Sequence, residues 1–162
     1  MQKKSLYASE QDTPRVQELR HDYRRWLDKI DVRNLVFVDE ARINLSMSRL
    51  FARAVDGERA VGSIPGSKGG NVSLIGALNL DGLIASMTVP GSTNTEVFIT
   101  LLNPGLTTDL SPIELCWSKL KQFLRSCEAR THESLEQAMA EVVNFITEDD
   151  AFGWFNHCGL FT

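Results

Sequence analysis

No apolar run in the 162-residue chain approaches the length of a membrane span, and the start, Met1-Gln2-Lys3-Lys4-Ser5, lacks the apolar core of a signal peptide. The expectation is a cytoplasmic protein with no membrane partner. Cysteine is scarce too: Cys116, Cys127 and Cys158 form no Cys-x-x-Cys pair, and an odd count without a secretion signal argues for reduced thiols. His157 beside Cys158 has no second pair to complete a zinc site and reads as C-terminal packing. Positive charge is in deficit, with 17 Lys and Arg against 21 Asp and Glu. A global field that draws in nucleic acid is thereby excluded, and any such contact must rest on a local basic face. Pro65-Gly66-Ser67-Lys68-Gly69-Gly70 lacks the Gly-Lys-Ser/Thr ending and following helix of a phosphate loop. What remains, 43% hydrophobic and 23% charged, is the composition of one globular domain.

The chain is organised around Asn34-Leu35-Val36-Phe37-Val38-Asp39-Glu40-Ala41-Arg42-Ile43-Asn44-Leu45. Its consecutive apolar, β-branched and aromatic residues predict a strand buried on both faces, in the middle of a sheet. The run stops at adjacent carboxylates. Asp39 is thus expected at the carboxyl edge of the sheet, where open α/β folds place ligands, although two acids there also suit a solvated exit from the core.

Upstream, Thr13-Pro14 is a helix entry, and Val16, Leu19, Tyr23, Trp26, Leu27 and Ile30 recur at helical spacing, predicting one buried stripe to about Lys29. Downstream, Ile43 to Met47 alternates and predicts a strand folding back on the first. Arg49 to Gly70 reads as a strand-rich but loop-dominated excursion. Val72 to Leu78 and Leu83 to Val89 predict a hairpin around Asp81-Gly82. Thr93-Asn94-Thr95-Glu96 is a capping box opening a short helix that Asn103-Pro104-Gly105 ends.

Ser111-Pro112-Ile113-Glu114 predicts a second strong helix start: Ser at the N-cap, Pro at N1, and Glu at N3 able to reach back to the cap. Up to about Cys127, Ile113, Cys116, Trp117, Leu120, Phe123, Leu124 and Cys127 share one arc, with Glu114, Ser118, Lys121 and Arg125 opposite. That polar stripe suits either an ordinary solvated face or a metal site beside a nucleic-acid backbone. Another helix follows Thr131, with Leu135, Met139, Val142, Val143 and Ile146 on its apolar side, and an aromatic tail from Asp150 to Gly159 docks after it.

Two of these phrases, Leu35 to Leu45 and Asp109-Leu110-Ser111-Pro112-Ile113-Glu114-Leu115-Cys116-Trp117-Ser118-Lys119-Leu120-Lys121, resemble the first and last catalytic motifs of bacterial insertion-sequence transposases in the mariner-like DDE superfamily. Resemblance extends to the Asn71 to Val89 hairpin and to the closing Gly153 to Gly159. It implies an α/β, RNase H-like fold, a mixed sheet with flanking helices and the first strand central. It also implies three carboxylates holding Mg²⁺ or Mn²⁺ for DNA cleavage and strand transfer. Mapped by motif, Asp39 would be the first carboxylate and Glu114 the third; Lys121 and Arg125 on the polar stripe of the same helix are the candidate contacts to DNA, by resemblance the transposon ends.

The resemblance also defines a gap. Relatives carry a strand ending in the second catalytic Asp, a helix and another strand before the last motif, whereas here only Asn103 to Thr108 separate Leu102 from Asp109. Six residues cannot supply those elements. The expectation is therefore a single, partial, impaired catalytic domain over residues 1–162, without the helix-turn-helix domains of its relatives. Asp109, Glu40 and Glu96 are the candidate replacements for the missing acid. A non-catalytic alternative is an interaction module that forms a homo-oligomer or joins a full-length transposase, because losing a strand beside the first one leaves an edge of unpaired amides.

Overall fold

The computed structural model describes residues 13–49, 51–55, 57–66, 69–91 and 111–161. The expected Thr93 helix with Glu96, the short bridge before the last motif and Asp109 lie outside the described residues.

Helix α1 spans Pro14–Leu27. The periodicity is right but the burial is not: none of its residues is fully buried, Trp26 is 54% exposed, and Val16, Tyr23 and Leu27 are only half covered. A 3₁₀ turn at Val32–Asn34 follows, with the Asp31 carboxylate accepting from the Arg33 N–H.

Strands β1 (Phe37–Asn44), β2 (Asn71–Asn79) and β3 (Gly82–Pro90) form an antiparallel sheet in the order β1-β2-β3. Among the described residues β1 is therefore an edge strand, not the central strand expected from its apolar run. The apolar density misled because Leu35 and Val36 precede the strand, and Val36 is 52% exposed. No fold-back at Ile43 occurs either: Ile43 and Asn44 continue β1 and pair with Val72 and Asn71. Among the described residues of the excursion from 51 to 66 there is no strand.

Register fixes the faces. Phe37, Asp39, Ala41 and Ile43 lie opposite Leu78, Gly76, Leu74 and Val72, and since side chains alternate, these residues share one side of the sheet. That side is the core: Ala41, Ile43, Val72, Leu74 and Leu78 are buried. At the β2–β3 turn Asp81 N–H donates to Asn79 Oδ1, and Gly82 takes φ +111°, a conformation open to a residue without Cβ.

Three helices cover the core side: α2 (Pro112–Cys127), α3 (His132–Phe145) and α4 (Glu148–His157). Helix α2 has the bounds expected from Ser111-Pro112 and packs on β1, β2, α3 and α4. Of its expected apolar arc, Ile113, Cys116, Trp117, Leu120 and Leu124 are buried, Phe123 is half covered and Cys127 is exposed. Helix α4 is a helix where only a docked tail was expected. Thr147 and Asp150 close a capping box that starts it, and Phe155 packs edge-on against Phe37 of β1 at 5.4 Å between ring centroids. His157 falls in its last turn.

Candidate metal and nucleic-acid site

Asp39 is the third residue of β1, within the paired strand rather than at its tip, and it faces the core side opposite Gly76. Glu40 points to the other face by strand alternation, so it cannot stand in for a missing acid beside Asp39. Above this row lies the first half of α2. Trp117, 2% exposed, donates its indole N–H to Asp39 Oδ2 at 2.8 Å. Gly76 creates the slot for that indole: a Cβ there would stand 2.4 Å from Trp117 Cη2. Strand, helix and ring thus meet at one point.

Glu114 lies three residues before Trp117, and residues at that spacing are neighbours on a helix surface. Its carboxylate does not close the expected capping box, for Ser111 makes no side-chain cap bond; only the backbone N–H of Glu114 reaches the Ser111 carbonyl, at 3.2 Å. The side chain is instead half-buried. Burial raises its pKa above the ordinary value, the negative charge of Asp39 raises it further, and the Lys121 ammonium partly offsets both. So Asp39, Glu114 and Lys121 share one electrostatic neighbourhood. Arg125, half-buried in the last turn of α2, lies on the same stripe, where its charge also suits the helix C-terminus.

Chemically, the site offers two carboxylates on rigid elements, half shielded from water and repelling each other. Hard oxygen donors of this kind fit Mg²⁺ or Mn²⁺, and Mg²⁺ commonly takes only one or two protein carboxylates and keeps several waters. Among the described residues no group of three or more His, Cys, Asp or Glu side chains assembles. The other reactive groups are tied to packing. Cys116 is buried, with its thiol pushed up to about 12 by burial first and by the charge of Asp150 second. Lys119 pairs with Asp150 across α2 and α4 and lies over the Phe145 ring.

Solved structures with this architecture decide the fold. The chain superposes on the Mos1 transposase paired-end complex with left transposon end at TM-score 0.69 and 16% identity, covering 98% of this chain and 63% of that one. The Mos1 mariner paired-end complex with Mn gives 0.70 and 15%, and the one with Mg gives 0.65 and 18%, each over 63% of the Mos1 chain. The chain thus shares the RNase H-like fold of these Mos1 structures. Residues 34–108 independently match the family described as DDE superfamily endonuclease. No curated protein matches the sequence. The chain spans less than two thirds of the length of these Mos1 structures, and no helix among the described residues is long and apolar enough to cross a membrane.

Sequence reasoning singled out Asp39, Glu114, Lys121 and Arg125 as candidates but did not foresee the contact of Trp117 with Asp39 over Gly76. Trp117 was read as core only, and Gly76 as part of a strand. The signals were there: a buried indole N–H needs an acceptor, and a glycine inside a strand marks the close approach of another group.

Proposed function

We propose that the chain is a partial DDE transposase catalytic domain that binds DNA and a divalent cation, Mg²⁺ or Mn²⁺, and is impaired in cleavage. One observation carries this reading: Trp117 bonds Asp39 and follows Glu114 by three residues, so a strand aspartate and a helix glutamate from distant motifs converge. The Mos1 paired-end structures with Mn and with Mg support the choice of ion. Bound there, the ion would activate water and stabilise charge on a phosphodiester oxygen. Asp39 and Glu114 would hold it, and Lys121 and Arg125 would meet the DNA backbone as point charges. Two carboxylates serve one ion where a two-ion displacement needs two occupied sites, hence the impairment. A bacterial insertion-sequence origin and a cytoplasmic location belong to the same proposal.

The test is incubation of the full chain with supercoiled DNA and Mn²⁺. Expected are salt-sensitive binding, weakened by Lys121→Ala, and nicking at background. Strong nicking that Asp39→Ala abolishes would show that another acid completes the site. Absence of both DNA binding and divalent-ion binding would remove the reading.

A second role, self-association or union with a full-length transposase, has its own support. The outer edge of β1 has no strand partner among the described residues, and Phe51, Val55, Val61 and Ile64 are each at least 76% exposed along one coil segment. A sheet edge open among the described residues and exposed apolar side chains favour association. Sedimentation of the isolated chain tests it: a strictly monomeric species across concentration would dismiss the role.

A further inference from the structure

We infer that Trp117 is a positioning residue for Asp39: its indole N–H occupies Oδ2 and reserves Oδ1 for the cation, with Gly76 as the slot that lets the indole reach. The inference rests on the cation-binding reading above. Any buried indole N–H needs an acceptor; what sets this one apart is that its acceptor is the Asp39 carboxylate on another element, opposite Gly76.

Three independent features support it. The N–H to Oδ2 distance of 2.8 Å is that of a good charge-assisted bond. Among the described residues, no other side chain or backbone N–H is hydrogen-bonded to the Asp39 carboxylate. The strand partner of Asp39 is the residue whose missing side chain admits the ring: Gly76 pairs with Asp39, and a Cβ at that position would collide with the indole edge.

The consequence is geometric. An aspartate on an open strand edge samples several rotamers in water, and each unproductive one costs cation affinity. Fixing one oxygen fixes the plane of the carboxylate and so the direction of its remaining lone pairs. The aromatic body of Trp117 also shields that face from water, which strengthens the electrostatic hold on whatever sits at Oδ1. Groups that orient a metal ligand in this way are worth about 10- to 100-fold in affinity.

The experiment is Mn²⁺ titration of the full chain by calorimetry, for wild type, Trp117→Phe and, as a packing control, Leu124→Ala, joined to the indole N–H spectrum of wild type and Asp39→Asn in Mg²⁺. Leu124 is buried in the same helix two turns away, so its truncation loosens α2 without touching Asp39. Expected: Trp117→Phe weakens Mn²⁺ binding about 10-fold or more, while Leu124→Ala leaves it within about twofold. In wild type, Mg²⁺ shifts the Trp117 indole resonance, and in Asp39→Asn the resonance moves without Mg²⁺ and no longer responds to it. Trp117→Phe binding Mn²⁺ as wild type does, with Asp39→Asn binding none, would overturn the inference and leave the cation site standing. Equal weakening in Trp117→Phe and Leu124→Ala, with an indole resonance indifferent to Asp39→Asn, would reduce Trp117 to packing and also overturn it. No Mn²⁺ binding by wild type would overturn both.

Discussion

The indole N–H of Trp117 donates to Asp39 Oδ2 across 78 residues of sequence. That bond joins the first strand to α2, where Glu114, three residues before Trp117, feels the charge of Asp39.

Gly76→Ala tests the packing beneath that bond. The new methyl would meet Trp117 Cη2 at 2.4 Å and Leu83 Cδ1 at 3.1 Å, so the ring must move or the sheet must part. Overpacking of this kind costs about 1–3 kcal/mol. Thermal melting is expected to show that loss, and tryptophan emission a red shift as the ring enters water. An unchanged Tm and spectrum would mean the ring does not lie over Gly76.

Glu114→Gln tests the repulsion. Because the folded-state pKa of Glu114 is raised, by burial first and by Asp39 second, its contribution to stability is fully present below the unfolded value of 4.5 and is lost as pH rises through the raised one. A neutral glutamine escapes that loss. In chelator, the variant is expected to melt above wild type at neutral pH, by no more than about 1 kcal/mol since the group is partly open to water. Below about pH 4.5 the gap should close. A gap that persists unchanged in acid would point to a different cause.

How much of this was legible in the residues follows from where the signals lie. Helix α2 was readable to the residue, because Ser111-Pro112 can start a helix and little else. The β2–β3 hairpin was equally plain in Asp81-Gly82. The position of β1 was not, since an apolar run cannot distinguish a central strand from an edge strand preceded by Leu35 and Val36. Helix α4 carried its start in Thr147 and Asp150, but ten residues with three aromatics and a glycine show too little periodicity. Asp39 and Glu114 were singled out as candidates from their motifs. Trp117 and Gly76 each signal a close partner, but which partner follows only from the β1–β2 register, a long-range relation.

Asp150→Asn tests the junction of α2 with α4. Burial alone would raise the Asp150 pKa, yet the Lys119 ammonium and the Thr147 N–H and hydroxyl hold it below the ordinary aspartate value. Its contribution is therefore present above 3.8 and lost as pH falls through the lowered value. The variant is expected to be about 1–2 kcal/mol less stable than wild type at pH 7, from a weakened cap and a lost ion pair. At strongly acid pH the two proteins should converge, and a difference held constant down the titration would contradict the assignment.

The proposal that Asp39 and Glu114 hold one ion is tested most directly by the anomalous difference map of a crystal grown with Mn²⁺. Expected is a peak within coordination distance of both Asp39 Oδ1 and a Glu114 carboxylate oxygen, with Trp117 Nε1 still on Oδ2. A map with no peak between those two side chains, or with manganese only on acids elsewhere such as Asp149, would contradict it.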